Sequence, residues 1–157
     1  MENNLIQEDP WSTLRTYSKA RIALGHVGGS LPLREILDFK LAHANAKDAI
    51  NSVLDTEKLV TQLEAFEVPI FQVKSQIEHR NEYLKRPNLG RKLDLNSAEQ
   101  LMGTNQQFDL VFVLADGLSA EAINSHSVEV LNQILPELTP KYSIAIVIAS
   151  QARVALG

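Results

Sequence analysis

Hydrophobic positions along the chain change period partway. Up to about residue 66 they recur at helical spacing, whereas later they come as unbroken runs, "LVFVLA" and "IAIVIA", that suit strands. Leu33, Ile36, Leu37, Leu41 and Ala44 mark one face of an amphipathic helix over about residues 32–51, with Arg34, Asp38 and Lys47 left for the other face. That apolar face, and a second one at 128–135, are expected to be core. Asp55 can cap a further helix in which Leu59, Leu63 and Phe66 share a face and Glu57 and Lys58 sit in or near the first turn. Upstream, Asp9 as N-cap and Pro10 at the first helical position predict a short helix over about residues 10–19. Gly25, Gly28 and Gly29 in "GHVGGSLP" predict a loop.

In "VPIFQVKS" the period shortens, and Ile70, Phe71 and Val73 predict a short extended segment after Pro69. "EHRNEYLKRPNLGR" reads as a helical turn broken at Arg86-Pro87, because the residue before proline disfavours the helical region. Then come a short helix in "LNSAEQLMG", the run "FDLVFVLAD", the helix "SAEAINSHSVEVLNQILPEL" and the run "YSIAIVIAS". Two β-rich runs around a helix make a parallel βαβ unit, whose strands are expected to be buried on both faces. The fold class is therefore α/β. Residues 1–93 are expected to form a mainly helical domain, and residues 94–157 the beginning of an incomplete Rossmann-like domain.

The chain has 157 residues, 45% of them hydrophobic, enough for one ordinary core. A net charge of −4 and a pI near 5.5 argue against a nucleic-acid partner. There is no cysteine, so no disulfide or thiolate metal site can form. "MENNLIQEDPW" lacks the basic and apolar regions of a secretory signal. The apolar runs fall well short of the roughly 20 residues of a membrane helix. A cytoplasmic protein without a membrane partner is expected.

Ligands of open α/β sheets bind beyond the carboxyl ends of the strands, where Asp116-Gly117-Leu118-Ser119 follows the first run. Gly117 allows a tight turn or close backbone approach, Ser119 can cap the next helix, and that helix's first amides could meet an anionic or polar group. A local role, in which Asp116 and Ser119 satisfy backbone donors, explains the same residues. Lys85, Arg86, Arg91 and Lys92 with Tyr83 could clamp an acidic surface or a polar cofactor group, or form a solvated turn. "GHVGGSLP" has neither the G-x-G-x-x-G order nor a Walker lysine, and "DGLSA" is not a nucleophile elbow. His26, His43, His79 and His126 show no metal-ligand spacing. No catalytic or metal-binding residue is assigned.

Three blocks, "ARIALGHVGGSLPLREILDFKLAHANAKDAI", "VKSQIEHRNEYLKRPNLGRKL" and "DLVFVLADGLSAEAI", in this order and at these separations, closely resemble the small (light) subunit of ethanolamine ammonia-lyase. The resemblance runs from about Tyr17 onward. It implies an adenosylcobalamin-dependent lyase converting ethanolamine to acetaldehyde and ammonia, a hetero-oligomer in which a large barrel subunit carries the substrate pocket. The small subunit would help hold cobalamin at the interface, and the isolated chain would be inactive. Small subunits of that family continue well past the position matching Gly157, so an N-terminal portion is expected, with the main cobalamin contacts beyond it. Asp116, Gly117 and Ser119 remain as candidate cofactor-binding residues, and Arg86 and Arg91 as candidate subunit contacts. A bacterial microcompartment is a further expectation. The competing reading is a free-standing α/β module for a nucleotide-like ligand, without lyase activity.

Overall fold

A computed structural model describes residues 6–117 and 119–156. Leu118, within the candidate loop, and residues 1–5, within the N-terminal stretch "MENNLIQEDPW", lie outside the described residues, as does Gly157. Contacts divide the chain into two compact units, Met1–Asp48 and Ala49–Gly157.

The first unit holds little regular structure before its helix. Asp9 accepts the Trp11 amide at 2.8 Å as an N-terminal cap would, but the expected helix is only a 3-10 segment, Ser12–Thr16. Its bonds close at i→i+3, and Thr16 turns its hydroxyl back on the Thr13 carbonyl at 2.8 Å, competing with helical continuation. Gly25 takes φ +74°, and a Cβ there would stand 2.7 Å from the Gln7 carbonyl oxygen, so the bridge between Gln7 and His26 requires glycine. Helix α1, Leu33–Asn51, appears where its period placed it, yet it buries no residue. Leu33, Leu37 and Leu41 are exposed, against the expectation of core. The period identifies an apolar face without supplying a surface to cover it.

The second unit is built on a parallel sheet of three strands, β1 (Ile70–Lys74), β2 (Leu110–Ala115) and β3 (Ile144–Ser150), in the order β1-β3-β2. The expected βαβ unit is β2, α5 (Ala120–Leu138) and β3. Because β1 pairs with β3, the α/β portion begins well before residue 94, and the contact boundary falls between Asp48 and Ala49 rather than at 93/94.

Helices α2 (Thr56–Leu63) and α5 cover one face. Leu59 and Leu63 of α2 and Leu131 and Leu135 of α5 pack with Ile146 and Ile148, all almost fully buried. Each such side chain stabilises the fold by about 1.5–3 kcal/mol relative to exposure. The other face is covered over β1 by α4 (Leu95–Met102), joined in chain order by the short α3 (Arg80–Lys85). Val111 and Val113 of β2 project to that second face and are 50% and 54% exposed. Only β3, flanked on both sides, is buried on both faces; β2, at an edge, is covered on one.

Candidate functional site

Parallel strands deliver their following loops to one end of the sheet, and there the three loops are knitted together. Ser75 donates its amide to the Ser150 carbonyl at 3.1 Å and its hydroxyl to the Gln151 carbonyl at 2.6 Å. Asp116 is only 4% exposed, and its carboxylate accepts the amides of Gln151 and Ala152 at 2.8 and 2.9 Å. Gln151 holds a left-handed φ of +53° to present this pair of amides. Arg80 stands 3.8 Å from the same carboxylate. Asp116 thus ties β2 to β3, and both its oxygens are occupied by protein donors.

Tyr83 is the second tie. Its hydroxyl donates to the Gly117 carbonyl, and its buried ring lies under the guanidinium groups of Arg80 and Arg153, 4.1 and 4.3 Å from the ring centroid. Arg153 also donates from Nη2 to the Tyr83 carbonyl at 3.0 Å and from its amide to the Gly90 carbonyl at 2.8 Å. A Cβ on Gly90 would stand 2.9 Å from Arg153 Cγ, so the glycine of "RPNLGR" is required by close approach to this arginine.

Beside this scaffold opens a cleft of about 770 Å³, lined in part by Gly117, Ser119, Arg91, Arg153, Val113 and Ile123. That volume lies in the ordinary range for ligand clefts. Gly117 and Ser119 therefore face a cleft, whereas Asp116 borders a separate small pocket of about 80 Å³ with Arg80 and Ser52. Two of the first amides of α5 already have side-chain partners. The Ala122 amide is taken by Ser119 Oγ at 3.2 Å and the Glu121 amide by Ser52 Oγ at 3.1 Å. Ser119 is the N-cap that its position predicted. Arg91 lines the cleft, while Arg86 lies outside it, paired with Glu82 at 3.1 Å.

Two participants were not singled out in the sequence. Arg153 sits in "QARVALG", directly after β3, the same kind of strand-end position that drew attention to Asp116. Arg80 opens α3, and its partners Ile50 and Asp116 lie far along the chain and give it no local signal. Among the described residues no His, Asp and Glu cluster is placed to hold a metal, and no helix is long and apolar enough to cross a membrane.

The fold and cleft define a parallel α/β module with a ligand-sized opening at the carboxyl ends of its strands. Residues 8–157 match the family model described as ethanolamine ammonia-lyase light chain (EutC). Similar proteins include the ethanolamine ammonia-lyase small subunits of Bradyrhizobium diazoefficiens, 40% identical over all of this chain and 62% of the relative, and of Rhodococcus erythropolis, 41% identical over 95% and 57%. The small subunit of Pseudomonas fluorescens strain Pf0-1 is 42% identical over 96% of this chain and 57% of its own. The chain belongs to the ethanolamine ammonia-lyase light chain family, and it spans about three fifths of the length of these relatives.

Proposed function

We propose that this chain serves as small-subunit polypeptide in an adenosylcobalamin-dependent ethanolamine ammonia-lyase and contributes its strand-end cleft to the cobalamin site at the large-subunit interface. The observation carrying this reading is the cleft itself, open at the carboxyl end of a parallel sheet and bordered by Gly117 and Ser119. Its mixed lining fits part of a large amphipathic cofactor: Val113 and Ile123 offer apolar contact, and Ser119 and the arginines offer polar groups. When bound, the cofactor supplies homolysis to an organic radical, while the protein positions it and excludes side reactions. Tyr83 fixes the Gly117 carbonyl, Asp116 fixes the β2–β3 rim, and the apolar lining limits water. Arg91, exposed at the cleft, is the better placed of the two candidate subunit contacts, since Arg86 is paired with Glu82.

The working complex is assigned to the cytoplasm, within a bacterial microcompartment where one exists. The test is a pull-down with a cognate large subunit, with and without adenosylcobalamin, followed by an ethanolamine deamination assay. Cobalamin-dependent capture, together with weaker cobalamin binding on Gly117→Val substitution, supports the reading. No capture, and binding of a nucleotide by the chain alone, would replace it with the free-standing module.

A further inference from the structure

The cleft is electrostatically one-sided. Arg91 and Arg153 line it, and no carboxylate does so among the described residues, although the chain carries a net charge of −4. Arg91 is exposed and forms no ion pair among the described residues. Among the described residues Arg153 has no acidic partner either: Nη2 goes to a carbonyl, and Nε is buried with no acceptor. The two arginines are held near one another by the chain. The Arg153 amide bonds the carbonyl of Gly90, the residue before Arg91, at 2.8 Å, and Arg153 Cγ packs where a Gly90 side chain would be. Apolar groups at Val113, Ile123 and Leu156 complete the lining.

The geometry points to an anion-binding end of the cleft, formed by Arg91 and Arg153, that accepts a phosphate ester carried on an apolar or aromatic body. Guanidinium groups offer paired N–H donors that suit phosphate oxygens, and the aliphatic wall suits the body attached to them. This deepens the cobalamin reading, because a corrinoid with a nucleotide loop carries a phosphodiester. A free nucleotide carries the same chemistry.

The test is calorimetric titration of the whole chain, free and in complex with the large subunit, using two matched pairs. Cobalamin is compared with cobinamide, which lacks the nucleotide loop, and adenosine 5′-phosphate with adenosine. At low salt the phosphate-bearing member of at least one pair should bind about tenfold more tightly, and this advantage should shrink as salt rises. Arg91→Gln, at an exposed position, should remove most of it without altering the fold; Arg153→Lys, which keeps charge but loses the fork, should weaken it. A nucleotide preference without corrinoid binding keeps the anion end and overturns the cobalamin reading. Equal binding of cobalamin and cobinamide, with no nucleotide preference, overturns the anion end and leaves the cobalamin reading standing. An advantage unchanged in both variants also overturns the anion end.

Discussion

Replacing Asp116 by asparagine isolates the tie between β2 and β3, because the two side chains have nearly the same shape. In the native chain two carboxylate oxygens accept two amides, from Gln151 and Ala152, and face Arg80. Asparagine keeps one oxygen and presents an NH2 group in place of the other, so one buried amide meets a donor and Arg80 loses its counter-charge. An orphaned buried N–H costs about 1–3 kcal/mol, and removing one partner of a buried pair adds to that. The Arg80 contact is long at 3.8 Å, so its share is small, and the expected loss is about 2–4 kcal/mol. Against a typical domain stability of about 5–15 kcal/mol the variant still folds. Urea unfolding followed by circular dichroism gives the energy, and amide hydrogen exchange at Gln151 and Ala152 gives the location. A loss under about 0.5 kcal/mol, the scale of ordinary surface substitutions, with exchange unchanged, would refute the account of Asp116 as a structural carboxylate.

Leu63→Ala should cost about 2–5 kcal/mol, whereas Leu41→Ala on the uncovered face of α1 should change the stability of the isolated chain by less than about 0.5 kcal/mol; paired denaturation curves check both. Gly90→Ala should lose about 1–3 kcal/mol, because the new methyl meets Arg153 Cγ and Ile77 Cδ1; an unchanged melting temperature would contradict the close approach. Asp94 caps α4, and hydrogen bonds from Ser97, aided by Lys74, hold its carboxyl below the ordinary carboxylate range. The unfolded chain takes up the proton first as pH falls, so this contribution is complete above about pH 4 and disappears as pH drops through the folded value. Asp94→Asn should flatten that part of the acid limb of a melting-temperature profile; an identical limb would remove Asp94 as its source.

Element types were legible where period and punctuation agreed. Asp55, Ser119 and the Arg86-Pro87 break all stand where local chemistry placed them. What local pattern could not supply was the surface opposite each element. The stripe of α1 reads like that of α2, yet Leu59 and Leu63 are buried and Leu37 and Leu41 are exposed. "LVFVLA" and "IAIVIA" are equally apolar, and only pairing decides that one is an edge and the other the centre. The site divided the same way. The strand-end rule found Gly117 and Ser119, but the role of Asp116 depended on amides 35 and 36 positions away, and Arg153 was overlooked because it lies past the last recognised element.

The placement of β3 between its two predecessors has a consequence for synthesis. Since among the described residues β1 and β2 each pair with β3 and not with one another, the ladder of this sheet cannot start forming when either of them leaves the ribosome. At about 5–20 residues per second, β1 waits several seconds for its strand partner. β3, made after both, is therefore the strand that commits them to a sheet. A nascent chain paused before it would expose two unpaired apolar strands, the state in which chaperone capture or misassociation is most readily detected.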